Sequence, residues 1–306
     1  VGLDPHELYD LIGEPPAAER PVLVQAITGF VDAGSATEIA REHLLASGEA
    51  RLVARFDIDR LLDYRSRRPI LTFVEDHWAD YDEPVLGVYE LRDDGGTPYL
   101  VLAGPEPDVQ WERFIDAVID LIERFGVRLT VGLTAIPMAV PHTRPVGVTA
   151  HGTRRELIVG YEPWLSRAQV PATVGNLLEY RLGQRGHDAM GFAVHVPHYV
   201  AQTAFPAAAE ELIARVSKAT GLLLPAGELH VAASLVRSEI DKQVAQTDDA
   251  GALVRKLEQQ YDAYAHGRDR QNLLTAEDSL PSADELAAEL ERFLADHHRP
   301  GEDTTG

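Results

Sequence analysis

A chain of 306 residues, 45% hydrophobic and 25% charged, has the make-up of a globular protein with a sizeable core, and α/β folds often use that length for one core. It has no cysteine, which excludes disulfides, thiolate-bound zinc, iron–sulfur clusters and a thiol nucleophile, and fits a reducing cytoplasm. An acidic balance of 49 acids to 28 bases, formal charge −21, disfavours nucleic acid and anionic lipid as partners, because the bases form no cluster.

Residues 22–28 (VLVQAIT) form an apolar, β-branched run ending at Gly29, and predict a buried first strand. Ser35 and Glu38 then stand at capping-box spacing, which predicts a helix capped by Ser35 and running through Leu45, with Gly48 near its end. Residues 51–56 are the second strand of this β-α-β opening, and 70–74 another strand. Residues 85–91 and 98–102 flank Asp93-Asp94-Gly95-Gly96 and predict a hairpin. Apolar positions 111, 114, 115, 118, 121, 122 and 125 predict a helix over 109–125, followed by a central strand at 127–136.

Further strands are expected at 146–150, 157–159 and 190–196, and helices at 173–182 and 206–220. After Gly227 the pattern is purely helical, over 229–244 and 250–264. A polar stretch at 267–281, a short amphipathic helix at 284–294 and a disordered-looking end follow. The alternation predicts a mainly parallel sheet covered on both faces, with one antiparallel hairpin. The expected division is an α/β core over 1–226, a helical C-terminal appendage over 227–298 and a tail over 299–306. No run approaches the ~18 apolar residues of a membrane span, and the first residues carry no signal-peptide pattern, so a cytoplasmic protein is expected. Only three of the bases are lysine, as suits a high-GC bacterial genome or, alternatively, a halophile.

The chemistry-bearing motifs are mostly absent: there is no GxxxxGK[ST], GxGxxG after a strand, GxSxG or HExxH. No cofactor, metal site or catalytic residue is assigned. His195 and His198 have HxxH spacing but straddle Pro197 at a strand end, where the rings need not converge. Three loops follow predicted strands: Gly29–Gly34 with Phe30 and Asp32, the 141–145 segment with His142, Thr143 and Arg144, and 197–199 with His198 and Tyr199. Ligands of open parallel sheets bind at the carboxyl ends of strands, so these nine residues are the candidate ligand or partner site. Arg144, stiffened by Pro141 and Pro145, reads either as part of an anion clamp or as a structural tie to Asp32 or another acid.

The segments GFVDAGSA (29–36), PHTRPVGVT (141–149) and PATVGNLLEY…GFAVHVPHYVAQTAFPAAA (171–209) together resemble the proteasome assembly chaperone 2 family, in its actinobacterial branch. The resemblance implies a three-layer α/β/α sandwich similar to the phosphorylase/hydrolase-like fold, with a helical C-terminal part and self-association. It offers no catalytic residue. The reading it favours is a non-enzymatic, oligomeric interaction or assembly protein, with a second copy of itself as first partner and proteasome subunits as second. A small-molecule-binding protein or phosphorylase/hydrolase-type enzyme, using the three loops, is the alternative. Some archaeal relatives engage proteasomes through a hydrophobic–Tyr–any-residue C-terminus, and Asp303-Thr304-Thr305-Gly306 departs from that pattern. Self-association is expected from the helical stripes Leu229, Ala232, Leu235, Val236 and Ile240, and Leu253, Leu257, Tyr261 and Tyr264.

Overall fold

The computed structural model of the chain describes residues 4–16, 19–161 and 167–265. The stretches expected at 267–281, 284–294 and 299–306 lie outside the described residues. In chain order the strands are β1 (Tyr9–Leu11), β2 (Val22–Thr28), β3 (Arg51–Phe56), β4 (Leu71–Val74), β5 (His77–Tyr81), β6 (Gly87–Arg92), β7 (Pro98–Pro105), β8 (Leu129–Met138), β9 (Val148–Gly152) and β10 (Ala189–Pro197). The helices are α1 (Ala36–Ala46), α2 (Trp111–Arg124), α3 (Val174–Gln184), α4 (Pro206–Thr220), α5 (Gly227–Ala245) and α6 (Asp248–Ala265).

One eight-stranded sheet, in the order β1-β3-β6-β7-β2-β8-β10-β9, organises the molecule. Its centre, β7-β2-β8-β10, is parallel, and the flanking strands join it antiparallel. The sheet is therefore more mixed than one hairpin would make it. The parallel strands are buried on both faces, which is why β2 and β10 read as nearly unbroken apolar runs.

Two cores fill the space on either side. On one face Ala36, Ala40 and Leu44 of α1 and Leu212, Ile213 and Val216 of α4 pack on Val24, Val131, Phe192 and Val194, with Leu229 and Ile240 of α5 added outside. On the other, Phe114, Val118 and Ile122 of α2 and Leu178 and Leu182 of α3 pack on Leu23, Leu100 and Leu102. The result is a three-layer α/β/α sandwich. Each fully buried large apolar side chain contributes roughly 1.5–3 kcal/mol, so the two cores together fix the register of the sheet.

Three local expectations change. Residues 157–159 are not a strand but the end of a 3₁₀ turn at Arg155–Ile158. The helix at Ala36 is not capped by Ser35, whose φ is +48° and whose side chain makes no cap bond. Instead the Asp32 carboxylate accepts from the amides of Thr37 at 2.8 Å and Glu38 at 3.0 Å. The helical stripes are only partly left for another chain to cover: Leu229, Ile240 and Leu257 are buried and Ala232, Val236 and Tyr261 half-buried, whereas Leu235 and Leu253 are exposed.

Candidate functional site

The carboxyl ends of β2, β7, β8 and β10 lie along one edge of the sheet, and the segments that leave them are bonded to one another. Asp32 bridges to Ala135 of β8 in parallel fashion. Gly34 donates its amide to the carbonyl of Ala201 at 2.7 Å and accepts from the amide of Phe205 at 2.8 Å. Gly34 has φ +67°, and a Cβ there would stand 2.7 Å from Phe205 Cβ, so the position needs glycine for conformation and for space. Loop 29–34 is thereby stitched to the segment after β10.

The second group is polar. The Tyr199 hydroxyl accepts the His142 backbone amide at 2.8 Å and lies 2.6 Å from His142 Nδ1. His142 Nε2 faces Asp241 Oδ1 of α5 at 3.0 Å. One proton arrangement serves all three contacts: Tyr199 donates to Nδ1 and the ring donates from Nε2 to Asp241. Burial pushes the Tyr199 phenol up to about 12, against the lowering effect of the His142 amide, so it stays protonated near neutral pH. Thr143 Oγ1 donates to Glu258 Oε1 of α6 at 2.6 Å, and Arg144 Nη1 pairs with the same oxygen at 3.1 Å. His198 is exposed and turns its ring edge-on to Tyr199.

Of the nine residues singled out from the sequence, His142 and Tyr199 touch directly, with His198 edge-on to Tyr199. Thr143 and Arg144 are held by Glu258 of α6. Asp32 is engaged by the amino end of α1 and is not the acid with which Arg144 is observed to pair. Gly29 and Phe30 border a separate narrow cleft. The HxxH pair splits: His195 is buried within β10, bonded through Nε2 to Thr149 Oγ1 at 2.8 Å, while His198 faces solvent. Among the described residues no three His, Asp or Glu side chains converge as metal ligands would.

Sequence reasoning missed two residues at this edge, Gln25 and Glu106. Glu106 follows β7, whose strand runs three residues beyond the predicted end at 102. Its carboxylate is buried and accepts from the Val174 amide at 2.6 Å and the Phe30 amide at 3.3 Å, joining α3 to loop 29–34. Gln25 is the one polar residue in the otherwise apolar interior of β2, and that interruption was the available signal. Both line the narrow cleft with Phe30, Thr37, Thr134 and Gly175.

The fold and this edge define an α/β/α sandwich whose strand-end loops are tied to one another and to its own C-terminal helices. The chain belongs to the PAC2 family: residues 26–244 match that family's model. The solved Mycobacterium tuberculosis protein of unknown function Rv2714 is 50% identical over 87% of this chain and 92% of its own, with a TM-score of 0.82. A Corynebacterium glutamicum protein of unknown function is 37% identical over 86% of this chain and 99% of its own, also at 0.82. The Mycobacterium tuberculosis proteasome-assembly chaperone homologue Rv2125 is 27% identical over 76% of this chain and 99% of its own, at 0.70. No curated protein matches the chain.

Proposed function

We propose that this chain is a non-enzymatic interaction protein of the assembly-chaperone kind, that it works as a homo-oligomer, and that the β4–β5 ribbon is its self-contact surface. The observation that carries the reading is the ribbon itself. Among the described residues β4 and β5 pair only with each other, apart from the main sheet. Every residue of both strands is exposed, including Leu71, Phe73, Val74, Trp78 and Tyr81. Phe73 and Trp78 stack edge to face at 5.1 Å, yet remain 56% and 65% exposed.

A lone two-stranded ribbon is marginal in water, and a contiguous apolar surface of this kind marks a contact site. Its occupant must offer an apolar face and a free strand edge together. The same ribbon on a second copy offers both, which is the self-complementarity a two-fold interface requires. Membership of the PAC2 family and a relative named as a proteasome-assembly chaperone homologue support the broader role, with proteasome subunits as clients of the assembled oligomer.

The ribbon is also acidic, carrying Glu75, Asp76 and Asp80 with Asp82 just beyond β5, so association should tighten as salt screens these charges. Light scattering at micromolar concentration is expected to give a multiple of the chain mass for the wild type and the single-chain mass for Phe73→Ser/Trp78→Ser. A monomeric wild type overturns the self-association reading; an oligomer that survives the double substitution removes the ribbon from it.

A further inference from the structure

We propose that the narrow cleft between the amino ends of α1 and α3 is a binding site for a small ammonium group, a role separate from self-association. The first observation is a buried carboxylate with no counter-charge. Glu106 is 6% exposed, and its carboxylate is held by two backbone amides, with no ion pair among the described residues. The basic side chains around it are engaged elsewhere. Arg67 donates to the Glu106 main-chain carbonyl, and Arg41 to Thr28 Oγ1 at 3.0 Å and Glu38 at 3.3 Å. Burying a charge without a partner is costly, so the site favours a cation that supplies one.

The second observation is independent. The Gln25 amide and the Thr37 hydroxyl, on residues 5% and 2% exposed, line the same cleft and make no hydrogen bond with any described residue. Their polar atoms open on the cleft rather than being sealed off, so both keep hydrogen-bonding capacity for a polar occupant. Gln25 and Glu106 reach the same turn of backbone. Glu106 Oε1 takes the amide of Val174, while Gln25 Oε1 lies 2.8 Å from where a Cβ on Gly175 would stand. The absence of a side chain at Gly175 lets Gln25 lie close against that backbone, and Gly29 does the same for Glu106, whose Oε2 stands 2.2 Å from where a Cβ on Gly29 would be.

Charge decides the class of occupant. Helix amino ends ordinarily draw anions. Here that of α1 is already filled by Asp32 and that of α3 by Glu106 and Thr173, so an incoming anion would meet carboxylates. What remains is the Gln25 amide and the Thr37 hydroxyl, each able to donate as well as accept, beside the free lone pairs of the Glu106 carboxylate; it is the carboxylates that turn the set towards a cation. The space suits a group the size of a water molecule or an –NH₃⁺ head, and the exposed Phe30 ring at the mouth offers a face to a cation.

The test is thermal unfolding of the full chain in methylammonium, potassium and tetramethylammonium chlorides at one ionic strength, of ~0.1 M. Methylammonium is expected to raise Tm by about 2–4 °C over tetramethylammonium, which has no N–H to donate. The difference should vanish in Thr37→Val, a near-isosteric change, and in Glu106→Gln. Equal Tm in the three salts overturns the proposal. Potassium matching methylammonium overturns it in favour of an alkali-ion site, and a difference that persists in both variants reduces it to a bulk salt effect. Should Glu106→Gln fail to fold, the wild type and Thr37→Val still decide.

Discussion

Replacing Asp93 with alanine is expected to lower stability by about 3 kcal/mol, a fall in Tm of roughly 6–12 °C on thermal or urea unfolding. Asp93 sits in the turn between β6 and β7 and is 7% exposed. Its Oδ1 accepts from the amides of Gly95 at 3.0 Å and Thr97 at 2.7 Å, and its Oδ2 accepts from Leu223 at 2.8 Å, in the chain just after α4. One side chain thus closes the hairpin and anchors the passage from α4 towards α5. Burial alone would raise its pKa, but the amides of Leu223, Thr97 and Gly95 outweigh it and hold the carboxyl below the usual range. Alanine leaves three amide donors without that acceptor, whereas Asp93→Asn keeps one acceptor oxygen and should lose about half as much. A change in Tm within error for Asp93→Ala would show that the turn holds without its acid.

Acidification from pH 6.5 to 4 is expected to remove about 3 kcal/mol of stability through His195 alone. The ring is 1% exposed in β10, and burial pushes its pKa down from 6.5 to about 4. The unfolded chain therefore takes up a proton below pH 6.5 that the folded chain refuses until pH falls to about 4. A depressed histidine gives stability that is fully present above 6.5 and is lost as pH falls, at about 1.4 kcal/mol per pH unit. Urea midpoints measured between pH 7 and pH 4 should decline along this window in the wild type and flatten in His195→Gln. The Asp93 contribution obeys a lower window: it persists above the ordinary carboxylate pKa of 3.8 and is lost only as pH falls through the depressed value. A wild type as stable at pH 4.5 as at pH 7 would mean that His195 is hydrated in solution.

The legible parts of the fold are those whose neighbours impose a period. β2, β3 and α4 have the bounds expected from the sequence, because β2 is apolar on both faces and α4 opens on Pro206 and closes on Gly221 in the left-handed region. β1 and β5 escaped notice for opposite reasons of the same kind. β1 is three residues long with one of them buried, and β5 is exposed throughout, so neither bears the alternation that burial writes into a sequence. At 157–159, three consecutive apolar residues were too few to separate a strand from a 3₁₀ turn.

At the strand ends, spacing located the loops but not their partners. Ser35 and Glu38 satisfy the capping-box spacing, yet Gly34 and Ser35 both take positive φ and carry Ser35 out of position, leaving the cap to Asp32. The acids that meet His142 and Arg144 are Asp241 and Glu258, roughly a hundred residues further on in helices whose docking face no local pattern specifies. Among so many acids, nothing in the chain marks these two. Gln25 and Glu106 were hidden likewise, since their significance arises only when α3 is laid across the ends of β2 and β7.

The coverage of the β4–β5 ribbon by a second copy is most directly measured by amide hydrogen exchange over a dilution series. A ribbon exposed on both faces in the free chain has little to protect its ladder amides, whereas one held in a self-contact exchanges only when that contact opens. The expected result is protection of the ladder amides in 71–74 and 77–81 at high concentration, lost on dilution in step with the oligomer mass, while core strands such as β2 stay protected throughout. Fast exchange of those ribbon amides at every concentration would contradict the proposed contact.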